Sequence, residues 1–147
     1  MDKVDVLRRS RLFDMLSNEE VDLLASLSQL REFQAGEVVF EEGSEGDALY
    51  VIAEGEVEVV RKEGGAEKVL ASLGAPEFFG EMSVIDKETR SATVRAKSPT
   101  RLLRLTVDNL MTFRKAYRDG FTFIVINIAR ILSHRLRETN AQLAARL

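Results

Sequence analysis

The chain has no cysteine and no tryptophan, only two prolines, and a single histidine, His134, among 147 residues. Without cysteine it has no disulfides, thiolate nucleophile, cysteine-bound zinc or cysteine-ligated iron–sulfur cluster. One histidine is too few for the His-rich metal site of a cupin-like barrel, and it lies in a helical pattern far from any elbow-like serine, which argues against a Ser/His/Asp triad. No catalytic residue and no metal ligand is therefore assigned. Excess charge of either sign is also lacking: the net charge is −3 and the sequence pI about 5.3. Attraction to nucleic acid backbones needs clustered Lys and Arg, so no nucleic acid partner is expected. The start, Met1-Asp2-Lys3-Val4-Asp5, lacks the apolar core of a signal peptide. The largely apolar stretch from Phe121 to Ile126 falls far short of the ~20 residues that cross a bilayer. A membrane association is not expected, and a reducing, cytoplasmic location fits the missing cysteines.

What remains is one domain's worth of chain, 45% hydrophobic and 31% charged. It divides by period into helices over 1–30, strands over 31–106 and helices over 107–147. Ser17-Asn18-Glu19-Glu20 reads as a capping box, with Glu20 three residues after Ser17 and apolar Val21, Leu24 and Leu27 following. From Arg31 the period is two, and glycines recur at 36, 43, 46, 55, 64, 65, 74 and 80. Gly64-Gly65 is a hairpin signal between Val57-Glu58-Val59-Val60 and Lys68-Val69-Leu70. Short strands between glycine turns predict a mainly β, α+β architecture. It would be an antiparallel β-barrel or jelly roll (a double-stranded β-helix) with N-terminal helices and a long C-terminal helix. Pro99 falls in a turn between the last two strands. Helix then runs from Val107 to Tyr117, Gly120 permits a bend, and a long helix follows from about Phe121. There Val125, Ile128, Leu132, Leu136, Thr139, Leu143 and Leu147 recur at steps of three and four. That stripe either packs on the chain's own body or forms a dimer seam with a second copy.

One cassette concentrates phosphate-binding chemistry: Phe78-Phe79-Gly80-Glu81-Met82-Ser83, then Arg90-Ser91-Ala92-Thr93. Glycine lets backbone approach closely, a carboxylate accepts hydroxyl protons, and an arginine fork matches a pair of phosphate oxygens.

With the ordered run from Gly36-Glu37-Val38-Val39-Phe40 through Gly46-Asp47-Ala48-Leu49-Tyr50 to Gly55, this cassette resembles the cyclic nucleotide-binding domain family, in particular its catabolite activator-like sensor domains. The resemblance covers nearly the whole chain as a single domain, 1–147, and implies a set of roles. Gly80 and Glu81 start the cassette, with Glu81 accepting from the ribose 2′-hydroxyl. Arg90 holds the exocyclic phosphate oxygens and Ser91 adds a hydroxyl. Backbone N–H groups of Met82, Ser83 and Ala92 complete the cradle. Val59, Leu70 and Met82 match positions that line the ligand, or serve as ordinary core. Thr139 and Asn140 match the helical pair that reads the base, or fix helix register. The implied ligand is cAMP, with cGMP the alternative, bound as a regulatory ligand and not as a cofactor. The expected function is a sensor module, not an enzyme, that transmits binding through the C-terminal helix to a homodimer or a protein partner. No DNA-binding segment is expected after the long helix. A protein that shares the fold, mediates interaction or dimerisation, and binds no nucleotide is the alternative.

Overall fold

The computed structural model describes residues 1–86 and 89–145. Helix α1 (Lys3–Arg9) starts under an Asp2 side chain that accepts from the Val4 N–H, and a 3₁₀ turn at Arg11–Phe13 follows. Helix α2 (Asn18–Leu27) opens with the expected capping box: Ser17 accepts from the Glu20 N–H at 3.2 Å, and Glu20 accepts from the Ser17 N–H at 2.8 Å. Such a cap contributes about 1 kcal/mol.

Eight strands follow: β1 (Gln29–Phe33), β2 (Val38–Phe40), β3 (Ala48–Glu54), β4 (Glu56–Glu63), β5 (Ala66–Gly74), β6 (Phe78–Phe79), β7 (Thr93–Ala96) and β8 (Thr100–Thr106). A short helix α3 (Met82–Ile85) sits between β6 and β7, and α4 (Val107–Ala116) and α5 (Arg118–Ala145) end the described chain. The strands form two antiparallel four-stranded sheets, ordered β1-β8-β3-β6 and β2-β7-β4-β5. They face one another as a jelly roll, but the sheets are not closed into a barrel. The two-residue β6 ends one sheet at an edge, and β5 ends the other.

The hydrophobic pattern explains the layering. In β3, Ala48, Tyr50 and Ile52 point into the space between the sheets, with Val57, Phe79, Val94 and Leu102. Its alternate residues, Leu49 and Val51, point the other way, into a second core built with α1, α2, α4 and α5. A strand covered on both faces reads as a continuous apolar run, as Ala48 to Ile52 does. The β4–β5 hairpin turns at Gly64 and Gly65, both at positive φ, as two-residue hairpin loops require.

Gly120 does not mark a bend. Helix α5 begins two residues earlier, at Arg118, and Gly120 is buried within its first turn. A Cβ there would run into the Glu20 carboxylate and reach within 3.0 Å of Phe113 Cζ, so glycine lets α5 pass close to α2 and α4. The first half of α5 is held to the body through Ile124, Ile128 and Ile131, and through Asn127, whose Nδ2 donates to the carbonyls of Leu12 and Asp14 at 3.0 and 2.9 Å. From Ser133 onward every described residue of α5 is exposed. Leu147, the last position of the expected stripe, lies outside the described residues.

Candidate functional site

A cavity of about 410 Å³ opens between the two sheets beside α3. Its walls come from β2 (Phe40), β4 (Val59), β6 (Phe79) and β7 (Val94), and its remaining side is the cassette itself, Gly80 to Ser83 and Thr89 to Ala92, with Asp86. The topology explains the convergence: β7 lies between β2 and β4, so the segment entering β7 is delivered to the mouth between them.

Arg90 dominates the cavity. Its residue is only 8% exposed, which is unusual for an arginine and demands partners. Nη2 donates to the Ala48 carbonyl at 2.7 Å, and Nη1 donates to Ser83 Oγ at 2.9 Å and, more weakly, to the Gly80 carbonyl at 3.4 Å. The guanidinium carbon lies 4.0 Å from the centre of the Phe40 ring, a cation–π contact. Phe40 in turn meets Tyr50 and Phe79, which stack on each other at 5.2 Å. The Arg90 backbone is clamped as well: its N–H donates to the Ser44 carbonyl at 2.7 Å and its carbonyl accepts from the Gly43 N–H at 2.8 Å. Burial lowers the Arg90 pKa from its ordinary value, and the nearby Tyr50, Asp47 and Glu81 oppose that shift. An arginine starts so far above neutrality that it stays charged. One polar atom is left over: Arg90 Nε is buried with no hydrogen-bond partner among the described residues. Unpaired buried donors are rare, and each calls for a physical reason.

Gly80 makes this arrangement possible. Its φ is +78°, and a Cβ would sit 2.9 Å from both the Ala48 carbonyl and Arg90 Nη1. The glycine therefore yields its space to the guanidinium. Glu81 follows at the N-cap of α3, 8% exposed and lining the same cavity.

The structure brings together Gly80, Glu81, Met82, Ser83, Arg90, Ser91, Ala92 and Val59 around one cavity. The Ser83 N–H, expected free for the cradle, donates to the Gly80 carbonyl at 3.3 Å. Leu70 is not among the lining residues. It is 46% exposed on edge strand β5, at a bulge: Val59 pairs with Ala71 and Val60 with Val69, leaving Leu70 as the extra residue. A bulge shifts every side chain beyond it relative to simple alternation. Thr139 and Asn140 do not reach the cavity within one chain either. Both are exposed on the outer half of α5, where Thr139 Oγ1 donates to the Arg135 carbonyl one turn back. The sequence reading missed Phe40, Phe79, Asp86, Thr89 and Val94 as lining residues. Phe40 and Phe79 stand inside the two matched segments, and that placement, with Phe79 next to Gly80, was the available signal. Among the described residues no group of three or more His, Asp or Glu side chains could hold a metal ion, and no helix is long and apolar enough to cross a membrane.

Comparison with known proteins identifies the family. The sequence profile described as "Cyclic nucleotide-binding domain" matches residues 30–117. The chain belongs to the cyclic nucleotide-binding domain family. It is 38% identical to the cyclic AMP receptor protein of Thermus thermophilus over 93% of this chain and 62% of that protein. It is 32% identical to a cAMP-dependent protein kinase regulatory subunit of Mycosarcoma maydis over 87% of this chain and 23% of that protein. The crystal structure of a cyclic nucleotide-binding domain from Methylobacillus flagellatus superposes with a TM-score of 0.84 at 29% identity, over 99% of this chain and 83% of that one. The chain thus spans about three fifths, or less, of the length of these curated relatives.

Proposed function

We propose that this cyclic nucleotide-binding domain takes cAMP in the Arg90 cavity and passes its occupancy to α5 as a regulatory signal. The observation that carries the reading is Arg90: a buried guanidinium fork with an unpartnered Nε, facing a cavity of about 410 Å³. A cyclic phosphate supplies a negative charge and exocyclic oxygens for that fork, and Arg serves such planar recognition better than Lys. Glu81, on the same wall, takes the ribose 2′-hydroxyl as acceptor. Phe40, Val59 and Val94 offer apolar surface to the sugar and base. The printed names of two relatives, a cyclic AMP receptor and a cAMP-dependent kinase subunit, favour adenine over guanine.

Transmission has a short path. In β6, Phe79 lines the cavity while its neighbour Phe78 points into the helical core, where Arg135 of α5 lies 5.7 Å from its ring centre. Ligand that draws the cassette inward pulls on Phe78 and so on the contact beneath α5. Only a difference in affinity between the two helix positions makes this a switch. The outer half of α5 exposes Leu136 (61%) and Leu143 (53%) in a stripe with Thr139. We assign that stripe to a second copy of the chain. Thr139 and Asn140 share this stretch, so a role in reading the base requires that second copy or a movement of α5.

One observation favours the non-binding alternative: both Arg90 Nη atoms already have protein acceptors, as a purely structural arginine would. Isothermal titration separates the two. Heat on adding cAMP, with weaker binding of cGMP, is the expected result; no heat with either nucleotide at high micromolar concentration overturns the reading.

A further inference from the structure

We infer that the cavity between α5 and the turn before β6 is a second ligand site, built for a small monocarboxylate with an apolar body. It stands apart from the Arg90 cavity, with which it shares no lining residue.

The cavity encloses about 390 Å³, close to the volume of the first and within the range usual for small-molecule sites. Its floor is apolar: Phe78 is 4% and Ile131 7% exposed, with Pro76 beside them. Three segments make the walls, and each is held by bonds of its own. On α5, Ile131, His134, Arg135 and Glu138 recur at steps of three and four and share one face. Arg11 opens the 3₁₀ turn that Asn127 ties to α5 through the Leu12 and Asp14 carbonyls. The turn from Gly74 to Glu77 is closed twice: the Glu77 N–H donates to the Gly74 carbonyl at 2.9 Å, and the Gly74 N–H donates to Glu77 Oε1 at 3.2 Å. Leu136 and Leu143, exposed elsewhere on α5, do not line the cavity.

The two signs of charge on the rim are not equally available. Both acids are engaged, Glu77 within its turn and Glu138 by His134 Nε2 at 3.0 Å. Neither the Arg11 nor the Arg135 guanidinium has a hydrogen-bond acceptor or an ion-pair partner among the described residues. The Arg135 guanidinium carbon lies 5.7 Å from the centre of the Phe78 ring, so the fork stands over the apolar floor with its N–H edges unpaired. Two arginines and two acids cancel in formal charge, so the rim selects at contact through its free donors and matches one negative charge better than the two of a phosphate monoester. A carboxylate pairs with such a fork through two parallel hydrogen bonds, and the floor takes the ring or branched chain behind it.

The test titrates the isotope-labelled full chain with hydrocinnamate, with hydrocinnamyl alcohol and with the corresponding primary ammonium, all sharing one apolar body, and follows amide chemical shifts. Hydrocinnamate is expected to bind with a Kd of about 1–5 mM, the scale proper to so small a ligand. Its shifts should centre on Phe78, Ile131 and Arg135, and the alcohol and the ammonium should bind at least about threefold more weakly. Arg135→Gln and Arg11→Gln, both at exposed positions, are each expected to weaken hydrocinnamate about three- to tenfold and to leave the alcohol unchanged, since an exposed charge-assisted pair contributes modestly. Equal binding of acid and alcohol overturns the inference, as does an acid affinity that neither variant lowers. Shifts confined to Gly80 and Ala92 overturn it too, because they place the acid in the Arg90 cavity. An apparent Kd that rises with protein concentration gives the cavity to a second copy of the chain and likewise overturns it.

Discussion

The cavity floor and the outer half of α5 are built on opposite plans. Around Arg90 each group is fixed by several others: a carbonyl, a hydroxyl and an aromatic ring hold the guanidinium, two backbone hydrogen bonds hold its main chain, and a glycine at φ +78° leaves room for it. Along α5 beyond Ile131, Leu136 and Leu143 stand in solvent, and the polar side chains bond within their own helix, as Thr139 to Arg135 and His134 to Glu138 do. The first region is built entirely from groups of one chain, and the second leaves apolar side chains uncovered. On the proposed reading, phosphate and ribose recognition would belong to the single domain, and base reading and output to whatever covers α5.

The sharpest way to break the contrast is to remove its centre. Arg90→Ala strips a buried charge-assisted pair from the phosphate, and cAMP affinity is expected to fall about a hundredfold or more. Calorimetry that returned an affinity within twofold of wild type would end the phosphate assignment. Gly80→Ala comes next. It places a Cβ 2.9 Å from the Ala48 carbonyl and from Arg90 Nη1 in a left-handed conformation, so it should lower stability by about 1–3 kcal/mol and displace the guanidinium. Thermal melting and cAMP titration read the two effects; a variant as stable and as tight as wild type would show that the cassette is not held as described.

Glu81→Ala is expected to act on one hydroxyl only. Loss of a hydrogen bond to a charged group is worth about 1.5–3 kcal/mol, roughly tenfold or more in affinity. The wild type should therefore prefer cAMP to 2′-deoxy-cAMP, and Glu81→Ala should bind the two alike. A variant that keeps the preference would move ribose recognition to another group.

The same contrast explains what the sequence revealed and what it withheld. The cassette was legible because its chemistry is local: glycine, acid and arginine fall within eleven positions, and the fold folds them back over one another. The capping box at Ser17 and the hairpin at Gly64-Gly65 were legible for the same reason. Leu70 was carried over from the resemblance as a ligand-lining or core position; it stands exposed as the extra residue of the β4–β5 bulge and is not among the residues lining the cavity, a local irregularity that no sequence pattern announces. Gly120 looked like a bend, since nothing local announces that a glycine makes room for Glu20, a hundred residues earlier. The apolar stripe of α5 was visible, but of its described members only Ile128 is buried, with Val125 and Leu132 half-buried; the face held to the body runs through Ile124, Ile128 and Ile131, and periodicity alone cannot tell it from the half left bare.

The smallest expected effects concern that bare half, and they decide whether it is a seam. Leu136→Asp with Leu143→Asp changes two exposed residues, so the melting temperature of the isolated domain should move little, because substitutions away from packed features usually stay within about 0.5 kcal/mol. Self-association, measured by light scattering across concentration, should weaken. An unchanged mass would remove the seam, and with it the route by which a second copy could bring Thr139 and Asn140 to the base. If mass does fall, Thr139→Ala and Asn140→Ala should alter the ratio of cAMP to cGMP affinity by about two- to fivefold while leaving the preference for cAMP over 2′-deoxy-cAMP untouched, since single neutral hydrogen bonds contribute about 0.5–1.5 kcal/mol. A changed preference between those two nucleotides would tie the two regions together at the ribose, and the division between a floor built by one chain and a roof completed by another would then fail.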